Sequence, residues 1–414
     1  MPNEITLRNP TADEYPRFVA PLAIAFSEEI SDAAIENDRQ TIELDRFFGA
    51  FDGDEVVGCA GAYSLRLTVP GGEVGAAGIT GVGVLPTHRR RGILRSMMRR
   101  MFDQARERAE SVAILWASEG AIYQRFGYGF GTLATEIEAL KDKVVFSNPV
   151  EPAGQMRIVS LDDAVRRFPP VYDAIRGSTP GFVARTEARW RYEMLADADY
   201  MRHGNGHKVL ALLEVDGEDR GFVIFRTRSE WDGTGPKDVI TVLELIGLDP
   251  IVEQYLWQWV FSIDLVGTVR SVRGRVPHPL QLLVTEPRRL NVMVKDGTWL
   301  RIIDLPASLR GRGYTGRGTL AFDVTDEFCP WNAGRWRLTV PGADGECVTV
   351  EAAPAAAEMD LAADIRDLAC VYLGAVRFAD LARVGRVRER RPGAIALADE
   401  LFATASAPWN STMF

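Results

Sequence analysis

Residues Ile79 to Arg95, ITGVGVLPTHRRRGILR, constrain the chain more than any other stretch. A β-type run, a Leu-Pro break, three arginines, a glycine and a periodic apolar segment read as a strand, a tight turn and a helix start. The helix is predicted from Ile93, Leu94, Met97, Met98, Met101, Phe102 and Ala105, which recur on one face. Arg95, Arg99, Arg100, Arg106 and Arg108 lie off that face. The first N–H groups of a helix lack internal partners, and the helix dipole adds positive charge there, so the junction is a seat for an anion such as a pyrophosphate. Arg89, Arg90 and Arg91 bring full charges, and Gly92 admits close backbone approach. Taken alone, the arginines also fit a solvated basic face or a nucleic-acid patch. The net charge of −9 argues against nucleic acid as the general partner, and the strand-to-helix position favours phosphate.

A length of 414 residues predicts two or three domains. Apolar content of 46% and charged content of 25% are those of an ordinary globular protein. No apolar run has transmembrane length, and MPNEITLRNP lacks a basic region and an apolar core, so the expectation is a cytoplasmic protein with no membrane partner. Cys59, Cys329, Cys347 and Cys370 show no close pairing, which suggests reduced thiols rather than disulfides or zinc. His203 and His207 are four apart in a glycine-rich segment unsuited to a helix, so no metal site is expected.

The pattern predicts an α/β (α+β) chain in three regions: 1–146, 147–298 and 299–414. The first opens with a strand at Ile5 to Arg8 and a helix from Asp13 to Phe26 capped by Thr11. A hairpin follows around Asp52-Gly53-Asp54, and after the arginine helix come a buried strand, Val112 to Trp116, and a strand from Glu136 to Leu140 that would close the sheet. The second region repeats this order: Leu248-Asp249-Pro250 lines up with Val84-Leu85-Pro86, an internal duplication with a period of about 164 residues. Where the first copy has its arginines and glycine, the second has Ile251-Val252-Glu253-Gln254, which would repel a pyrophosphate. Trp257, Trp259 and Phe261 of its helix are expected in the core. The third region predicts strands at Trp299 to Asp304, Gly318 to Val324 and Gly334 to Val340. Helices are predicted at Met359 to Tyr372 and Ala396 to Ala403.

A Val-x-Val strand, a proline and Arg-x-x-Gly at a helix start resemble the acetyl-CoA site of the GNAT acyltransferase superfamily. The longer string LPTHRRRGILR, followed by ASEGAIYQRFGYG at Ala117 to Gly129, is similar to the enhanced intracellular survival (Eis) family of bacterial N-acetyltransferases, and the resemblance runs the whole length. The superfamily's small residue two places after the glycine is Leu94 here, which this family tolerates. The resemblance implies two GNAT-like domains, the second degenerate, followed by a sterol-carrier-protein-like domain. It implies acetyl-CoA as co-substrate with no metal. The backbone of Val82, Gly83 and Val84 would hold the pantetheine, Arg90, Arg91, Gly92, Ile93, Leu94 and Arg95 the pyrophosphate, and Ser118 and Glu119 would lie on the other side. The family places its proton donor at Tyr123 rather than Tyr128, and a neutral phenol can donate to a leaving thiolate. The family's base is the C-terminal α-carboxylate, here that of Phe414, in a tail whose aromatic residues suggest docking. Family members acetylate polycationic amines such as aminoglycosides at more than one position and resemble homohexamers. Glu28, Glu29 and Asp32 would attract such a polycation, or form a solvated face. Two alternatives stand beside this reading: a protein-lysine or longer-chain acyl-CoA N-acyltransferase, and a non-catalytic CoA- or lipid-binding protein.

Overall fold

The structure is a computed structural model that describes residues 4–27, 29–151, 154–342 and 347–414. Two compact units result: residues 1–132 with 298–408 and 413–414, and residues 133–297 with 409–412.

The first unit carries a seven-stranded sheet. Its strands β1 (Ile5–Arg8), β2 (Phe47–Asp52), β3 (Glu55–Val69), β4 (Gly72–Val84) and β5 (Val112–Trp116) lie side by side in chain order. The strand Thr298–Ile302 follows antiparallel to β5, and β6 (Gly129–Phe130) closes the row. The β2–β3 turn forms where Asp-Gly predicts it, with Gly53 at φ 62°. Only β4 and β5 run parallel, which requires a crossover, and the predicted helix α4 (Ile93–Glu107) supplies it. Its Ile93, Met97, Met98, Met101, Phe102 and Ala105 are all buried against the sheet. Each large side chain of that stripe contributes about 1.5–3 kcal/mol on leaving water.

Two expectations for residues 1–146 need correction. The helix predicted from Asp13 to Phe26 is two, α1 (Tyr15–Phe18) and α2 (Ala20–Phe26). Pro21 has no N–H for the Arg17 carbonyl, and its ring crowds that turn, so the helix breaks at Val19. The N-cap is Glu14 rather than the expected Thr11, which closes the turn before it: its hydroxyl accepts from Glu14 N at 3.3 Å while the Glu14 carboxylate accepts from Thr11 N at 3.0 Å. The second correction concerns Glu136 to Leu140. That segment is a strand, part of Leu133–Leu140, but it belongs to the other sheet. Thr298–Ile302 takes the place beside β5. Alternating apolar residues fix that a strand forms, not which partner it finds.

The second unit repeats the plan. Its seven strands order as Met293–Asp296, β7 (Leu133–Leu140), Val266–Gly274, Asp238–Gly247, Glu218–Arg228, Lys208–Val215 and Gln155–Ile158. Asp238–Gly247 and Val266–Gly274 are its parallel pair, joined by the helix Pro250–Ser262. Trp257 and Phe261 are core residues as expected, and Trp259 is partly buried beside Phe225.

The remaining sheet, in the first unit, holds Gly318–Thr325, Gly334–Val340, Thr349–Ala352, Leu361–Asp364 and Val387–Glu389. The helix expected from Met359 begins only at Ile365. Leu361–Asp364 pairs in parallel with Gly318–Thr325, and Asp364 then caps the helix reciprocally with Asp367. Phe378 packs edge-to-face on Phe402 at 5.0 Å and faces Phe322 at 6.4 Å, filling the space between sheet and helices.

Candidate active site

The first sheet contains a fork. β4 and β5 pair only at Ala76–Gly78 with Val112–Ile114, although β4 runs on to Val84. Beyond Gly78 the strands part, and β4 keeps β3 on one side only, up to the Gly58–Val84 pair. Its other edge, Ile79 to Val84, faces the gap with backbone N–H and C=O groups that have no strand partner among the described residues. A bulge at Cys59–Gly61 and a positive φ at Gly81 (59°) bend β4 within this stretch. An edge of this kind binds an extended amide-bearing chain as an added strand would. Val82 and Val84 turn their side chains to the α4 core, while Gly83 faces the opposite helix. A Cβ on Gly83 would lie 3.0 Å from Leu22 Cα and 3.2 Å from Pro21 O, so only glycine lets α2 approach.

The fork leads to the arginine turn. α4 begins at Ile93 with no side-chain cap, and its first helical bond is Ser96 N to Gly92 O at 3.0 Å. The N–H groups of Ile93, Leu94 and Arg95 precede that bond and point out of the helix. Arg90 (φ 64°) and Gly92 (φ 82°) both adopt left-handed backbone, and a Cβ on Gly92 would meet nothing within 4 Å. The seat in front of the helix is therefore open, with uncapped N–H groups of the kind that accept an anion. Arg89, Arg90 and Arg95 are exposed beside it. Arg91 is partly spent elsewhere: its guanidinium lies 3.3 Å from Asp52, which His88 also contacts. Leu94 is half-buried against the core.

β5 ends at Trp116, and the exposed Ser118 and Glu119 lead into α5 (Gly120–Gln124). Gly120 is required there, because a Cβ would lie 2.4 Å from the Trp299 ring. Tyr123 is buried on α5, edge-on to Tyr128 at 5.8 Å. Burial, with the Glu119 charge adding, pushes its phenol above the ordinary value, so it stays protonated at neutral pH. Tyr128 is fully enclosed and packs on Phe102 at 5.9 Å, a core position. Phe414 lies at the fork itself: its Cδ2 is 3.3 Å from where a Gly78 Cβ would stand, and Gly78 is the last residue paired to β5.

The second copy differs at the same point. Asp249 accepts from Ile251 N at 3.0 Å and from Val252 N at 2.9 Å, so the helix start is closed by the chain's own carboxylate. Glu253 is pulled toward Arg275 at 2.5 Å. The Asp-Pro pair before a helix was a readable capping signal. Of the acidic residues near the first helices, Glu29 and Asp32 are exposed, and Asp32 sits in the first turn of α3 (Asp32–Asp38). Glu28 lies outside the described residues. Gly78, where the pairing ends and where a Cβ would crowd Leu65 and Phe414, is not singled out by the sequence, although a glycine inside a strand marks close approach.

Known proteins match in the same places. The family description "Acetyltransferase (GNAT) domain" fits residues 6–131 and, as a second match, 181–302. "Sterol carrier protein domain" fits residues 305–411. An uncharacterized N-acetyltransferase of Streptomyces avermitilis is 40% identical over 369 residues, 89% of each chain. The N-acetyltransferase Eis of Mycobacterium tuberculosis is 32% identical over 413 residues, 97% of each chain. Among solved structures, Eis1 from Mycobacterium abscessus has a TM-score of 0.82 at 29% identity, covering 99% of this chain and 100% of that one. A GCN5-related N-acetyltransferase from Anabaena variabilis, at 20% identity and a TM-score of 0.85, shares the fold.

Proposed function

The chain belongs to the Eis family of N-acetyltransferases, within the GNAT superfamily, and from that premise we propose that it acetylates primary amines of polycationic small molecules, aminoglycosides among them, at its first fork. Acetyl-CoA, when bound, supplies a thioester-activated acetyl group. The open edge of β4 from Ile79 to Val84 holds the pantetheine amides by strand-like hydrogen bonds, with Ser118 and Glu119 on the far side. The free N–H groups of Ile93 to Arg95, with Arg90, Arg91 and Arg95, hold the diphosphate. The uncapped helix start opening onto an unpaired strand edge is the single observation that carries this reading. The second helix start, capped by Asp249, binds no CoA.

Tyr123 holds the proton that the departing sulfur needs, and its raised pKa keeps it loaded. The Phe414 carboxylate receives the proton of the acceptor amine, directly or through water. Exposed Glu29 and Asp32 draw the polycation in. We also propose a homohexamer in the cytoplasm. Every residue of the edge strand Met293–Asp296 is exposed, Met293 and Val294 at 55% each, which supports a partner copy over that edge. The cysteines are free thiols, and no described helix is long and apolar enough to cross a membrane.

The test is CoA release from acetyl-CoA with aminoglycosides, polyamines and a lysine peptide. It compares the 414-residue chain with one carrying a few residues added after Phe414. Release with the polycations that stops on extension supports the proposal. Equal release by both removes the carboxylate from the mechanism, and release only with the peptide transfers the activity to protein lysines.

A further inference from the structure

The second sheet has a fork of its own. Asp238–Gly247 pairs with Val266–Gly274 only as far as Val242, then parts from it. Val242 stands 164 positions after Gly78, the last paired residue of the first fork, so the two open at equivalent points of the duplication. The second fork is filled. Trp409 lies in it among Val242, Glu244, Trp257, Ser271 and Arg273, and the space left is about 20 Å³, room for one water. The indole N–H donates to Arg273 O at 2.6 Å, and Trp409 N donates to Pro180 O at 2.8 Å.

The next three residues are more deeply held. Asn410, Ser411 and Thr412 are at most 1% exposed, although polar side chains of these types ordinarily stay in water. Beneath them lies a buried ion pair. Arg185 meets Glu244 with two hydrogen bonds of 2.9 and 2.6 Å, and both side chains are essentially inaccessible. The Tyr172 and Trp190 rings cover the guanidinium at 3.9 and 4.6 Å. Ser411 donates its hydroxyl to Glu244 at 2.5 Å. The Thr412 hydroxyl oxygen accepts from Arg185 at 2.9 and 2.8 Å, and Arg273 donates to Ser411 O at 3.3 Å. A buried pair is costly unless its remaining hydrogen-bonding positions are filled, and the tail hydroxyls fill them. Only Met413 separates Thr412 from Phe414, so a fixed Thr412 confines the Phe414 Cα to within about 7 Å.

We propose that the second fork has become the receptor for the chain's own tail: Trp409 plugs it, the Arg185–Glu244 pair clamps Ser411 and Thr412, and the docked tail positions Phe414 for proton transfer. The positioning part rests on the reading of Phe414 as the base. Arg185, Glu244 and Trp409 are then positioning residues, and the degenerate copy serves catalysis without binding CoA.

The test uses tail-side changes that leave the Arg185–Glu244 pair intact, Trp409→Ala and Thr412→Val, with Trp409→Phe as the conservative control. Hydrogen exchange of the 409–414 segment is read by mass spectrometry, beside kcat and KM for acetyl-CoA. In Trp409→Ala and Thr412→Val the tail amides should exchange at least about tenfold faster. The kcat should fall on the order of 100-fold with KM for acetyl-CoA held within about twofold, because the first fork is intact. Trp409→Phe should restore tail protection and much of kcat. Tail amides as protected in Trp409→Ala as in the parent chain would overturn the receptor. A freed tail with unchanged kcat would overturn the positioning role. If the parent chain turns over no amine at all, the acetyltransfer reading of Phe414 fails instead, and the exchange data alone still decide whether the fork seats the tail.

Discussion

Replacing Gly78 by alanine tests whether Phe414 works where it sits. The new Cβ would stand 2.4 Å from Leu65 Cδ1, 3.1 Å from Leu65 Cγ and 3.3 Å from Phe414 Cδ2. The Leu65 methyl can swing away but its Cγ must shift, and Leu65 is a core residue. Overpacking of this size costs about 1–3 kcal/mol. An alanine in extended backbone recovers about 0.4–1 kcal/mol by restricting the unfolded chain. The net destabilisation should be about 1–2 kcal/mol, a Tm decrease of a few degrees. Phe414 must retreat by a few tenths of an ångström, which should lower kcat by about tenfold if its carboxylate transfers the proton. Thermal unfolding and steady-state CoA release with the best amine of the panel separate these terms. The expected result is a lower Tm, a lower kcat and an unchanged KM for acetyl-CoA. A lower Tm with unchanged kcat would mean that the position of Phe414 is irrelevant to turnover. A raised KM with unchanged kcat would place Gly78 on the path of the co-substrate instead.

Tyr123→Phe keeps the ring against Tyr128 and removes the proton, so kcat should fall by about 100-fold or more with little change in Tm. Asp38→Asn probes a carboxyl that burial raises to about 6 despite the Tyr15 hydrogen bond. A raised acid favours the fold fully below its ordinary pKa near 4, and that benefit is lost as pH rises through 6. The variant should therefore be more stable than the parent above pH 6, by up to about 3 kcal/mol, with the gap closing toward pH 4 in denaturant titrations. His278 shows the opposite case. Burial, with Arg275 adding, holds it neutral down to about 3, so its contribution is present above its ordinary pKa near 6.5 and drains away as pH falls toward 3. His278→Asn should flatten the decline of Tm between pH 6.5 and 4; an equally steep decline in the variant would assign it to other groups.

The elements with strong local signals were legible in the sequence. The apolar stripe of α4, the Asp-Gly hairpin and the arginine turn all rest on spacing within one or two turns of chain, and each forms where it was expected. The exchange of Leu133–Leu140 for Thr298–Ile302 beside β5 was not legible, because pairing partners more than a hundred residues apart leave no periodic trace. The break between α1 and α2 was written in Pro21 but lost in an otherwise helical pattern. The residues proposed for the first fork, Arg90, Gly92 and Tyr123, come from resemblance and chemistry together. Arg185 and Glu244, which meet only through tertiary folding, could not. Trp409, Met413 and Phe414 suggest a docked tail; Trp409 is buried in part and Thr412 is wholly enclosed, while Met413 is 47% exposed.

The central claim is that one helix start of the duplicated pair is an open CoA seat and the other is closed by Asp249. Calorimetric titration of the purified chain with CoA tests it directly. One CoA per chain is expected, lost on Arg90→Glu combined with Gly92→Val and retained on Asp249→Ala. Two equivalents per chain, or one that survives the change at Arg90 and Gly92, would contradict the assignment of the site.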